Sequence, residues 1–194
     1  MDELAHELRI DSLEFRLKNL KNDRLRAVFQ AAAEKFGWGK QKNSIGTGYG
    51  IGGGFEKGGY IATCAEVSVE RGAVKVVRVV QAFDCGAVVN PQGLKNQISG
   101  AIMQGLGGAL FEAIRFENGR IVNAHLAQYR VPRFSDLPRI EVVLVDRKDQ
   151  RSMGAGETPL TGIAPAVGNA IFAAAGVRLR SMPLAPGGLP GHAV

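Results

Sequence analysis

The sequence predicts an α+β fold in which a mixed or antiparallel sheet is covered by packed helices. Three observations point there. The first forty residues carry three short helical patterns, residues 62–83 hold two β-rich runs split by Arg71-Gly72, and an alternating run at Arg139–Asp146 precedes a small-residue helix at Ile163–Ala175.

Asp2 to Leu8 reads as a helix that begins with no lead-in. Asp11 and Glu14 form an Asp-x-x-Glu capping box, followed by Leu13, Leu17 and Leu20 at helical spacing. Asn22 or Asp23 can cap a third helix in which Leu25, Val28, Phe29, Ala32 and Phe36 line one side until Gly37 stops it. These helices carry packing and no visible chemistry.

Ile45 to Ile51 alternates side chains with glycines, so as a strand it shows one bare face, and something must lie close against that face. Two candidates stand: a neighbouring backbone and a ligand. Gly48-Tyr49-Gly50-Ile51-Gly52-Gly53 also fits the Gly-x-Gly-x-x-Gly dinucleotide fingerprint, but that fingerprint needs a helix immediately after it, and Tyr60 to Glu70 reads as a strand. Ala62–Glu70 and Val74–Phe83 form an antiparallel hairpin. Asn90-Pro91 breaks the chain before a helix from about Leu94 to Phe111. On it Gln97, Gly100, Gln104 and Gly107 share one face and Ile98, Ile102, Gly105 and Ala109 another. The first face suits either a polar planar ligand or close helix packing, and spacing does not separate the two.

A turn at Glu117-Asn118-Gly119-Arg120 leads to a strand over Ile121–Gln128, a loop over Tyr129–Pro138, the strand Arg139–Asp146 and a charged connector, Arg147–Ser152. The loop Met153–Leu160 then presents Glu157 from Gly154-Ala155-Gly156-Glu157, whose glycines permit a turn that a Cβ would forbid. Thr161 and Pro165 are start signals for the last helix, Gly176 is its stop, and the Glu157 carboxylate is expected beside helix-end N–H groups. The division is an N-terminal helical segment 1–44, a main portion 45–184, and a Pro/Gly-rich mobile tail 185–194.

Composition narrows the function. With 194 residues, 45% hydrophobic and 22% charged, the chain is an ordinary globular one. The net charge of +6 comes with acidic residues interleaved among the basic ones, and no aromatic-studded basic stripe or zinc-finger spacing points to nucleic acid. Cys64 and Cys85 form no Cys-x-x-Cys pair and read as buried free thiols, while His6, His125 and His192 lack ligand spacing. No apolar run reads as long enough to span a membrane, and no signal peptide is visible.

Several motifs occur in order: Asp84-Cys85-Gly86, Val89-Asn90-Pro91, Gln97-Ile98-Ser99-Gly100-Ala101-Ile102-Met103-Gln104-Gly105-Leu106-Gly107, Tyr129-Arg130-Val131-Pro132, Asp136-Leu137-Pro138 and Gly154-Ala155-Gly156-Glu157. This set resembles the C-terminal part of the large, molybdenum-cofactor-binding subunit of the xanthine oxidase family. The branch formed by the beta subunits of isoquinoline 1-oxidoreductase, with related aldehyde and nicotinate dehydrogenases, is the nearest in pattern, because its strand leads almost directly into the Cys-Gly-Val-Val-Asn-Pro-like segment. The resemblance runs from about Asp2 to Leu184.

The resemblance implies part of a molybdenum-cofactor-binding domain. It assigns Glu157 as the base beside the molybdenum, acting on water-derived oxygen that is added to an N-heteroaromatic ring or an aldehyde. Gln97 aligns with the glutamine that contacts the molybdopterin, Gly154, Ala155 and Gly156 form the adjoining turn, and Gln104 is a motif glutamine of less defined role. The cofactor, expected as a dinucleotide, holds the metal through its own dithiolene, so no side-chain ligand is needed. Implied partners are an iron-sulfur (2Fe-2S) small subunit and the upstream part of the same large subunit, which makes this chain an expected fragment, truncated frame or split-gene product. Alone it is expected to hold cofactor poorly and to be inactive. The cytoplasm is the expected compartment, with the periplasm open because an export signal would lie upstream. The competing reading is a catalytically silent module used for assembly or docking.

Overall fold

The computed structural model describes residues 1–42 and 44–189. Three helices, α1 (Asp2–Glu7), α2 (Ser12–Asn19) and α3 (Asp23–Phe36), precede three long strands, β1 (Thr47–Glu56), β2 (Gly59–Glu70) and β3 (Ala73–Asp84). Helix α4 (Pro91–Leu110), a two-residue hairpin of β4 (Phe116–Glu117) and β5 (Arg120–Ile121), strand β6 (Arg139–Leu144) and helix α5 (Ile163–Ala175) complete the order. The main sheet runs β1-β2-β3-β6, with β6 parallel to β3 and the other pairs antiparallel.

Period-two alternation sorts the strands into two faces. Ile61, Ala65, Val67, Val79 and Phe83 join Ile98, Ile102 and Leu106 of α4 and Ile163, Val167 and Ile171 of α5 in one buried cluster. Ile51, Ala62, Cys64, Val80 and Ala82 point the other way, onto Leu25, Val28, Phe29, Ala32 and Phe36 of α3. The sheet is thus a middle layer, and α3 shares its core although the sequence reading placed residues 1–44 in a segment of their own.

Local chemistry sets most boundaries as read. Asp11 Oδ1 accepts from the N–H groups of Leu13 (2.9 Å) and Glu14 (3.0 Å), Asn22 Oδ1 accepts from Leu25 (3.0 Å), and Gly37 ends α3 at φ 78°. Arg78 from β3 donates to the terminal α3 carbonyls of Phe36 (3.0 Å) and Lys35 (3.2 Å) and pairs with Glu141 of β6. Burial pushes the Glu141 carboxyl up, but Arg78, Arg139 and Lys35 together hold it below the usual range.

Several expectations change. Helix α4 starts at Pro91 rather than Leu94, because Asn90 Oδ1 accepts from Gly93 N–H (2.9 Å) and proline suits the first helical position. The strand expected over Ile121–Gln128 is reduced to Arg120–Ile121: Asn123 turns inward, accepting from Arg115 N–H (2.8 Å) and donating to Ala113 O (2.7 Å), and a 3-10 turn follows at Leu126–Gln128. Gly162, not Thr161, caps α5, while Thr161 Oγ1 donates to Thr158 O (2.9 Å) within a preceding 3-10 turn.

The bare face of β1 meets a backbone and not a ligand. A Cβ on Gly48 would stand 2.1 Å from Ala170 O, one on Gly50 2.1 Å from Ala166 O, and one on Gly52 2.8 Å from Ala166 N. With β2 following, the dinucleotide fingerprint has no helix to complete it.

The described part of the expected mobile tail, 185–189, is tied down at its two ends. Leu184 N–H donates to Ala109 O (2.7 Å), Leu189 N–H donates to Gly72 O (2.9 Å), and Leu189 is buried; residues 190–194 of that tail lie outside the described residues. Contrary to the sequence reading, Thr158–Ala175 does reach the length and hydropathy of a membrane span, by composition alone. It is α5 with its leading turn, and Ile163, Ala166, Val167, Ala170 and Ile171 are buried in the core.

Candidate functional site

The segment after β3 and the segment after β6 are bound together, which brings the Asp-Cys-Gly and Gly-Ala-Gly-Glu motifs side by side. Val145 N–H donates to Phe83 O (2.9 Å), Arg147 N–H to Gly86 O (3.1 Å), Ala87 N–H to Gln150 O (3.2 Å) and Met153 N–H to Cys85 O (2.7 Å). Gly86 sits at φ 82°, and a Cβ there would lie 2.1 Å from Arg151 O, so both its backbone and its neighbour require glycine. Asp84 is fully buried and accepts Arg24 of α3 through both oxygens (2.9 and 2.6 Å) as well as Gly86 N–H (2.8 Å). The Arg24 guanidinium stacks on Tyr60 at 4.4 Å. This bidentate pair ties α3 to the motif turn.

The far end of the loop is held from below. Gln81, buried in β3, donates through Nε2 to Pro159 O (2.7 Å) and Thr63 Oγ1 (2.8 Å), while its Oε1 has no partner among the described residues. Thr158 is buried and its Oγ1 donates to Glu56 O (3.2 Å). Leu160 N–H returns to Glu157 O (2.9 Å), so Glu157 opens the 3-10 turn Thr158–Leu160.

Between these anchors the loop is exposed. Glu157 makes no capping bond to helix-end N–H groups; its carboxylate instead accepts from Lys57 in the β1–β2 turn, with side-chain exposures of 73% and 65%. The ammonium, by hydrogen bond first and charge second, holds the Glu157 carboxyl below the usual carboxylate range, and the Lys57 pKa rises in return. Gly154 and Gly156 depart from the sequence expectation: neither has a left-handed backbone, and a Cβ on either would meet nothing within 4 Å among the described residues. The chain's own fold does not demand glycine there.

Gln97 and Gln104 both lie exposed on α4, seven residues and about 10.5 Å apart along one side at the helical rise. Gly100 and Gly108 on that side are open, and a Cβ added to either would meet nothing within 4 Å. Gly107 leaves the face: its space is filled by the Glu112 carboxylate and Pro132. A groove of about 480 Å³ between α4 and the start of α5 is lined by Gln104, Gly108, Glu112, Leu160, Thr161 and Met182 among others; Gln97 and Glu157 are not in its wall. The structure therefore brings Gln104, not Gln97, against the loop's end.

The Tyr129-Arg130-Val131-Pro132 motif serves the end of α4. Tyr129 OH donates to Glu112 Oε2 (2.9 Å), which raises the tyrosine pKa, and Arg130 stacks on Phe111 at 3.9 Å. Cys64 and Cys85 are free and buried, and burial pushes both thiols up. His6 packs edge-on to Phe172, His125 is exposed, and His192 lies outside the described residues. Among the described residues no three His, Cys, Asp or Glu side chains gather as a metal site. Lys57, Gln81 and Arg24 were missed from the sequence; only the Glu56-Lys57-Gly58-Gly59 turn left a signal, and it named no partner.

The family model described as "Molybdopterin cofactor-binding domain" matches residues 2–138. A nicotinate dehydrogenase subunit of Pseudomonas putida is 34% identical across 95% of this chain and 17% of its own length. The beta subunit of isoquinoline 1-oxidoreductase from Brevundimonas diminuta is 34% identical across 96% of this chain and 24% of its own. Among solved structures, the aldehyde oxidoreductase of Desulfovibrio desulfuricans superposes with a TM-score of 0.58 at 32% identity, over 66% of this chain and 15% of that one. The chain thus spans about a sixth to a quarter of the length of the curated relatives it matches.

Proposed function

Because this chain belongs to the molybdopterin cofactor-binding domain family, within the large subunits of the xanthine oxidase family, we propose that it is the portion of a molybdenum hydroxylase that supplies the catalytic base, Glu157. The substrate class is an N-heteroaromatic ring or an aldehyde. The observation that carries this is the loop itself: rigidly anchored at Met153 and Pro159, it offers one exposed, ionised carboxylate.

The residues fit the cofactor. Two exposed amides on α4, Gln97 and Gln104, lie beside the open positions Gly100 and Gly108, a polar helix side that a flat pterin can approach closely, and Gly154 and Gly156 leave open space in the loop. Gln97, Gly154, Ala155 and Gly156 would hold it, in dinucleotide form, with Gln104 on the adjoining wall. When bound, the group supplies the redox centre that receives the substrate's electrons. Glu157 takes a proton, and a carboxylate suits this because Lys57 keeps it ionised at neutral pH and the backbone on either side of its loop is anchored at Met153 and Pro159. An iron-sulfur small subunit and the upstream part of the large subunit complete the enzyme, and this chain alone is inactive.

The test is Glu157→Gln in the chain joined by the upstream polypeptide and the small subunit, read by dye reduction and molybdenum content. General-base work predicts turnover lower by about 10²–10⁴-fold with cofactor content near normal. Loss of cofactor instead assigns Glu157 a structural part, and an assembly that never reduces dye leaves a docking module.

A further inference from the structure

We propose that Lys57 is a positioning residue for Glu157, an ammonium carried on the β1–β2 turn that grips the carboxylate and fixes where it sits beside that turn. The inference rests on Glu157 being the base for its catalytic meaning, though the grip itself does not.

Among the described residues, Gly154, Ala155 and Gly156 make no hydrogen bond, and the nearest anchors are Met153 N–H on one side and Glu157 O on the other. A segment of this kind gains its place from side chains, and Ala155 contributes only partial burial at the edge of the core. The first side chain after it with an ionic partner among the described residues is Glu157, and that partner is Lys57. The turn that carries it is stiff: Lys57 at φ 49° and Gly58 at φ 80° close a two-residue hairpin, with Glu56 paired to Gly59. It also lies against the loop, since Gly58 faces the Met153 side chain, Gly59 faces Thr158, and Glu56 O accepts from Thr158. Hairpin and loop pack together, and the exposed ion pair adds to those contacts.

The charged groups at this turn are three. Glu56 lies 3.7 Å from the same ammonium, against the closer approach of Glu157, so Lys57 serves Glu157 first. Both partners are well exposed, so the pair contributes little to stability and its value lies in placement. It also lowers the basicity of the carboxylate while keeping it ionised, which sets where on the pH axis the base becomes available.

The full chain carries the first test: a carbon-detected NMR titration of the Glu157 carboxyl in wild type, Lys57→Asn and Lys57→Arg. Asparagine accepts the left-handed turn backbone, so the neutral variant keeps the hairpin. Wild type and Lys57→Arg should titrate below the ordinary glutamate range and Lys57→Asn should move up into it; a Glu157 that titrates identically in all three overturns the proposal. In the assembled enzyme the acid limb of the kcat profile should move to higher pH in Lys57→Asn and stay in place in Lys57→Arg, and an unmoved limb in Lys57→Asn counts against positioning. Failure of the base assignment is read separately, from turnover that survives Glu157→Gln while the Lys57 titration effect persists.

Discussion

A methyl group added to Gly48 or Gly50 would strike the backbone of α5 at 2.1 Å, whereas one added to Gly154 or Gly156 would meet nothing within 4 Å. The two glycine-rich stretches share a composition and differ in what uses the space. In β1 the absent side chains let a helix lie directly on a strand, and the fold consumes the room. In the loop the room is left unused by the chain, and neither glycine has a backbone angle that only glycine adopts. Glycine in β1 answers to this chain, and among the described residues nothing in the chain requires glycine at 154 or 156.

Gly50→Ala is the sharpest way to break that contrast. The new methyl cannot be relieved by a side-chain rotation, because Ala166 O and Ala170 N are both backbone. Overpacking of this kind costs about 1–3 kcal/mol or more, and here the upper end or failure to fold is expected, read as a lowered urea midpoint. A variant as stable as wild type would mean that α5 stands off from β1.

What was legible follows from distance along the chain. Asp11, Asn22, Gly37 and Gly176 act on neighbours within a turn, so caps and stops could be read directly. Arg71-Gly72 likewise marked its hairpin. The family, and the α+β architecture with it, was readable from motif order. The strand over Ile121–Gln128 was not, because β-propensity names no partner and Asn123 found local bonds instead. Whether β1 faced a ligand or a backbone depended on a helix more than a hundred residues further along the chain. The same holds at the candidate site: Glu157 stood out within its loop, but Lys57 lies 100 residues from it and Gln81 lies 78 from Pro159. Spacing along the α4 face grouped Gln97 with Gln104 correctly, yet only the fold shows which of them adjoins the loop.

Gln81→Leu separates anchoring from open space in the loop. It removes the donor to Pro159 O and Thr63 Oγ1, leaving a buried carbonyl unpaired, and also removes the unpartnered Oε1. An unmade buried bond costs about 1–3 kcal/mol, and the offset places the expected loss near the low end. Amide exchange at Leu160 and Met153 should quicken more than at core residues such as Val80. If exchange at the loop is unchanged, the anchor is elsewhere.

The smallest effect on the chain is expected at the other pole of the comparison. Gly154→Ala and Gly156→Ala remove backbone freedom from the unfolded state at positions where the folded backbone tolerates a Cβ, so stability should hold or rise, by about 0.4–1 kcal/mol at most. The same methyl groups intrude on the surface where the cofactor is proposed to lie. In the assembled enzyme, molybdenum content per subunit should therefore fall in both variants while the isolated chain melts no lower than wild type. That dissociation is what a surface shaped for an outside group produces, since a glycine kept for folding would show its cost in the chain alone. Equal metal content in variants and wild type would return the loop glycines to ordinary surface, and leave Glu157 exposed without a wall beside it.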